Sequence, residues 1–176
     1  MENETTAGVS AIRDIRIIRN KRRRRTVGAR LEKDTMLVFA PRNIPAADLD
    51  SAIRTLKEKI EKQILRKELN KGQSLRHIAE NLNREYFRGL LKIEDIEYVT
   101  NQTSKFGCCD CGRRAIRISH RVSGMPDWVR DYVIVHELAH LVVADHSPAF
   151  WKEVSRYPLA ERARGFLIAK GLEEEI

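Results

Sequence analysis

No stretch of this sequence stays apolar for the roughly 20 residues that a bilayer-spanning helix needs, so insertion into a membrane is excluded. The N-terminus, Met1-Glu2-Asn3-Glu4-Thr5-Thr6, is polar and acidic where an export signal needs an apolar core, so secretion is not expected either. Cysteine is scarce. Cys108, Cys109 and Cys111 are the only three, odd in number and crowded together. A disulfide framework wants an even, dispersed set, so these thiols read as reduced and the compartment as cytoplasmic. Nothing repeats and no segment is of low complexity, which leaves neither arrays nor long linkers. At 176 residues the chain needs no staples, because a domain of that size buries about 70% of its unfolded surface.

What the chain does have is positive charge, unevenly placed. The net charge is +8, and the first 30 residues carry nine Lys and Arg against Glu2, Glu4 and Asp14. The run Lys21-Arg22-Arg23-Arg24-Arg25 could meet a nucleic acid or another phosphate-bearing partner. A solvated hairpin end accounts for it equally well, and no aromatic residue interleaves with it as a stacking platform. Contact through Lys21–Arg25 is therefore an electrostatic expectation alone, and a monomer with no membrane partner is expected.

The hydrophobic pattern predicts an α+β chain of one domain. Residues 1–12 read as a flexible tail. Ile15 and Ile17, then Val27, Ala29 and Leu31, then Met36 and Val38 alternate with polar positions, which predicts an N-terminal antiparallel β unit over 13–45 closed by Pro41 and Pro45. The rest, 46–176, reads as a helical core on which that unit packs. A long helix runs from about Ala47 to Leu69 with Leu49, Ile53, Leu56, Ile60 and Ile64 at helical spacing. Ser74 opens a second helix that stops at Gly89. Ile93, Ile96 and Tyr98, then Ile116 and Ile118, predict two strands flanking a cysteine-bearing turn. Pro126-Asp127 are first-turn residues of a helix ending near Ala144-Asp145, and a last helix spans Leu159 to Leu172 before a Glu173-Glu174-Glu175 tail.

The chemistry concentrates in His136-Glu137-Leu138-Ala139-His140, followed by His146. Positions i and i+4 stand one above the other on a helix face, so His136 and His140 can share one metal ion. Glu137 lies one residue round, within reach of a water on that ion without being a ligand. The flanks Tyr132-Val133-Ile134-Val135 and Leu138-Ala139-Leu141-Val142-Val143 leave little room for a water-facing side, so the helix reads as buried. Burying polar groups without partners costs about 1–3 kcal/mol each, and a divalent cation compensates them together. Three protein ligands and an open position are the arrangement of catalytic zinc, with Glu137 as general base for hydrolysis.

His146 is favoured as third ligand. Ser147-Pro148 reads as the N-cap and N1 pair of a following helix, so His146 lies at a corner from which it can fold back. Glu153, a turn or two into that helix, is the rival ligand, and Asp145 is either a carboxylate partner for a histidine N–H or a helix-end polar residue. A second zinc on Cys108, Cys109 and Cys111 is not expected, because no second pair completes four ligands unless His120 joins them.

These residues are similar to a known family. The segment Lys105-Phe106-Gly107-Cys108-Cys109, the strand Ala115-Ile116-Arg117-Ile118-Ser119, and the stretches Asp131 to Leu141 and His146-Ser147-Pro148-Ala149-Phe150-Trp151 resemble the YgjP-like metallopeptidase family. The pattern is also similar to that of SprT-like proteases. The resemblance implies a compact zincin-like metallopeptidase domain over 13–176, with His136, His140 and His146 as ligands of Zn(2+) and Glu137 as catalytic base. The family tends to show Trp-Gly-Ser-Cys-Ser where this chain has Phe106-Gly107-Cys108-Cys109-Asp110, a departure that bears on substrate choice more than on the metal.

The function expected is a zinc metallopeptidase acting on a peptide or protein substrate through a water activated by the metal and deprotonated by Glu137. An extended peptide would lie along an edge strand, for which Ala115 to Ser119 is the choice. His120 could meet the oxyanion, although it reads more simply as a loop histidine. Two alternatives stand beside this reading: a metal-dependent phosphoanhydride (nucleotide) hydrolase, and a nucleic-acid-associated module in which zinc is structural.

Overall fold

The computed structural model describes residues 12–72 and 74–170, so residues 1–11 of the expected tail and the Glu173-Glu174-Glu175 end lie outside the described residues. Ile12, the last residue assigned to that tail, is buried at 6% exposure. The architecture is α+β, as expected, and the chain divides into two units, 1–65 and 66–176. Among the described residues no helix is long and apolar enough to cross a membrane.

In the first unit, β1 (Asp14–Asn20), β2 (Gly28–Glu32) and β3 (Thr35–Pro41) form a sheet in the order β1-β3-β2. β2 and β3 make a hairpin whose short loop puts Lys33 at φ 57°, the left-handed conformation such loops require. The expectation of a wholly antiparallel unit is corrected here, because β1 pairs parallel to β3. Alternation marks a strand and says nothing of its neighbour. Residues 21–27 cross the end of β3, two strand spacings or about 10 Å, which seven residues span easily. β1 is also exposed along its whole length, with Ile17 at 44%. The core lies on the other strands, where Met36, Val38 and Ala40 pack with Leu49, Ile53, Leu56 and Ile60 of α1 (Ala46–Leu69).

The second unit is built around α3 (Asp127–His140), which touches α2 (Ser74–Phe87), α4 (Pro148–Val154), α5 (Ala160–Ala169) and two strands of a second sheet. Val129, Tyr132, Ile134, Val135 and Leu138 are buried around its whole circumference, worth about 1.5–3 kcal/mol for each large side chain. That burial explains how a run rich in β-branched residues stays helical: packing outweighs propensity. α2 ends as expected, with Arg88 and Gly89 at φ 59° and 70° and the Gly89 amide donating back to the Asn83 carbonyl.

The second sheet holds β4 (Asp95–Val99), β5 (Gly107–Asp110) and β6 (Ala115–Ser119) in the order β4-β6-β5. Two expectations are corrected. The cysteine segment is a strand, not a turn, pairing Cys109 with Ile116 and Gly107 with Ile118. Its four residues lack the β-branched signature of a strand, and cysteine serves there as a small apolar side chain. As a result β6 is central, with both edges occupied by β4 and β5, and cannot receive a peptide along its backbone. β5 is the edge.

Candidate metal centre

α3 begins at Asp127 with Pro126 at its N-cap position, and Arg130 bridges Asp127 and Asp131 across its first turns. It stops at His140, four residues short of the expected end. There Leu141 and Val142 donate to carbonyls three residues back, tightening the last turn so that residues 141–147 swing away as a loop. The early stop matters. It frees enough chain for His146 to return toward the helix it has just left.

His136 and Glu137 are buried at 3% and 5% exposure, His140 is half-buried and His146 exposed. One ligand atom from each of the three histidines lies within 4.8 Å of the others. The Nε2 atoms of His136 and His146 are 3.2 Å apart, and two nitrogens on one tetrahedral zinc at about 2.0–2.1 Å would stand about 3.3 Å apart. The His140 Nδ1 lies 3.3 Å from the Val143 carbonyl. A carbonyl only accepts, so Nδ1 carries the proton and Nε2 keeps its lone pair. Phe150, fully buried in α4, packs against all three imidazoles at 4.4–4.8 Å and stacks on His140.

The electrostatics suit a cation. Burial pushes His136 down to about 3, with His140 and His146 adding, and holds it neutral, the form that binds metal. His140 is lowered too, by burial and then by His146. Burial pushes the Glu137 carboxyl up to about 8, against which only the Lys105 charge works. Glu137 Oε2 is buried without a hydrogen-bond partner among the described residues, as is His136 Nδ1. An unpaired buried carboxylate is costly, and a divalent cation beside it answers that cost. The donor set, the nitrogen spacing and the orphaned carboxylate oxygen all fit a metal ion.

Other expected residues fall elsewhere. Glu153, the rival ligand, is held by Arg156 at 2.8–2.9 Å and stands outside the histidine group. Asp145 is exposed and its carboxyl is lowered first by a hydrogen bond from Ser147. Ser147 occupies the N-cap position of α4 without capping it, and Pro148 follows at N1. His120 does not line the cleft. A cleft of about 190 Å³ opens beside the histidines, lined also by Lys105, Gly107, Cys108, Cys109 and Cys111. Cys111 donates to the His140 carbonyl at 3.3 Å, burial pushes the Cys109 thiol up, and no cysteine stands in the histidine group among the described residues.

Three residues here had no assigned role in the sequence: Phe150 beneath the imidazoles, Lys105 as the one Lys or Arg lining the cleft among the described residues, and Gly107. A Cβ on Gly107 would overlap the Glu137 carboxylate, with Cδ and Cγ of Glu137 each at 2.7 Å. A glycine opening a short strand is a signal of close approach, which this position bears out.

A family model described as YgjP-like, metallopeptidase domain, matches residues 73–167, more than half of the chain. Among solved structures, the crystal structure of the metallopeptidase zymogen of Pyrococcus abyssi abylysin is similar over 58% of this chain and 99% of that one, at 18% identity and a TM-score of 0.49. No curated protein matches the chain.

Proposed function

The chain belongs to the YgjP-like metallopeptidase family, and we propose that it cleaves peptide bonds with one zinc ion held by His136, His140 and His146 and with Glu137 as general base. The observation that carries this reading is the convergence of three imidazole nitrogens beside a buried carboxylate whose Oε2 has no hydrogen-bond partner among the described residues. Bound there, zinc would supply Lewis acidity, polarising a carbonyl and lowering the pKa of a water to about 7.

The chain's own residues do the rest. Glu137, wedged beneath the backbone of Gly107, takes the proton of the attacking water on its carboxylate and delivers it to the leaving nitrogen. His140 is kept in the Nε2 ligand tautomer by Val143, and Phe150 fixes the rings in place. The edge of β5 opposite β6 is the place for an extended substrate, whose main chain can pair there with little demand on sequence. Lys105 is placed at the cleft to attract the oxygen that gains charge. That single cation suits a peptide carbonyl better than a triphosphate. No fourth protein ligand joins the histidine group among the described residues, which supports a catalytic over a structural ion.

The test is metal analysis joined to turnover. Protein purified without added metal is expected to carry one zinc per chain and to cleave casein or an unstructured peptide, with activity lost to a chelator and restored by zinc. Glu137→Gln is expected to keep the zinc and lose about 10²–10⁴-fold in turnover. Hydrolysis of nucleoside triphosphates with peptides untouched would overturn the reading.

A further inference from the structure

The first unit carries a feature that peptide hydrolysis does not use. Lys21, Arg23, Arg24, Arg25 and Arg42 line one cleft of roughly 660 Å³, in which Asp48 is the only acid among the described residues. The crossing of residues 21–27 over the end of β3 brings these cations together, since it lays the arginine run against the chain leaving β3. Arg42 joins them from outside the run. Its carbonyl accepts a hydrogen bond from Arg19 Nη1 at 2.9 Å, which ties it to the end of β1.

The loop is also organised. The Arg22 amide donates to Asn20 Oδ1 at 2.8 Å, and the Arg23 guanidinium lies over the Phe39 ring at 5.7 Å. Lys21, Arg24, Arg25 and Arg42 have no ion-pair partner among the described residues. Four unneutralised cations around one concavity repel each other, and an entering polyanion relieves that repulsion. Arg16 and Arg19 add charge on opposite faces of exposed β1, and Arg13, just before it, is held by Asp34 at 3.9 Å.

The shape narrows the ligand. Both Arg23 and Arg30 lie over Phe39, so its ring is not open as a platform for a base, and recognition would rest on phosphates alone. A concavity lined by five cations suits a linear phosphate polymer that can enter it better than a flat bilayer surface. We propose that the cleft between Lys21–Arg25 and Arg42 binds the phosphodiester backbone of nucleic acid without reading its sequence.

Fluorescence anisotropy of the full chain with a labelled 20-base-pair duplex and with one of its single strands, across a salt series, tests this. Five contacts imply a log–log salt slope of about −4.5 on the duplex and about −3.5 on the single strand, with no preference among sequences. The triple variant Arg24→Ser, Arg25→Ser, Arg42→Ser is expected to bind at least tenfold more weakly, with its duplex slope reduced to about −1.8. A control removing equal charge from exposed α1 positions, Arg54→Ser, Lys59→Ser, Lys62→Ser, is expected to stay within about threefold of the parent. Equal losses in both variants, no loss in the first, or capture by vesicles containing phosphatidylserine with no binding to either oligonucleotide, would each overturn the proposal. Because the readout is binding, it stands apart from the peptidase reading.

Discussion

The two sheets of this protein have the same plan. In each, the first strand pairs parallel to the third and the second returns antiparallel to it, giving β1-β3-β2 and β4-β6-β5. Each second strand even opens on a glycine, Gly28 in β2 and Gly107 in β5. Among the described residues, only the second sheet borders a histidine cluster that could hold a metal ion. The difference lies in what packs on the second strand: a side chain added at Gly28 would meet nothing nearer than the tip of Arg23 at 3.5 Å, whereas one at Gly107 would drive into Glu137. Topology is therefore silent about chemistry here, and the site is made by α3 presenting His136 and Glu137 to one edge strand.

The largest effect expected is on the second unit alone. His136→Ala should remove the metal and bring peptide cleavage to background together, while His77→Ala, an exposed histidine of α2 outside the cluster, should change neither. Metal content by mass spectrometry beside a peptide assay checks both. A histidine variant that keeps its metal but loses cleavage would separate the cluster from the ion. Next comes the packing beneath the rings. Phe150→Ala should cost about 3–5 kcal/mol of stability, as the loss of a fully buried aromatic does, and weaken metal retention because three imidazoles lose their common support. Denaturant melts with and without chelator would show it. Unchanged metal affinity in a folded Phe150→Ala protein would mean that the loop alone positions the histidines.

The same comparison shows what could be read from the sequence. The spacing of His136, Glu137 and His140 within an apolar run pointed to a buried metal helix, because helical periodicity and the cost of burying polar groups are local properties of a few residues. The helices over 46–69 and 74–87 were legible for the same reason. Strand order was not. Whether β1 pairs parallel or antiparallel depends on where a seven-residue connection crosses, and no residue of β1 encodes that. The cysteine strand was misread because Gly107-Cys108-Cys109-Asp110 has the composition of a turn, and the misreading passed directly to the expected substrate edge, placed on β6, which is the central strand. Phe150 was visible only as one apolar residue of a helix. Its position under three rings needed the loop 141–147 to close.

The smaller effects sharpen the contrast between the two glycines. Neither is in the left-handed region, so alanine can adopt both backbones and any cost must come from contact. At Gly28 the neighbour is the far end of a flexible arginine in ordinary van der Waals contact, and Gly28→Ala is expected to leave cleavage unchanged and stability within about 0.5 kcal/mol, or slightly raised as the unfolded chain loses freedom. At Gly107 the neighbour is a carboxylate fixed in a packed helix. β5 or Glu137 must then move, and a displacement near 1 Å at a catalytic group costs about 10²-fold. Gly107→Ala should therefore lower turnover by that order while leaving metal content intact, with a stability loss of about 1–3 kcal/mol. If both alanine variants turned over peptide like the parent, Glu137 would have room to spare, and the proposal that β5 seats the base and receives the substrate would fall.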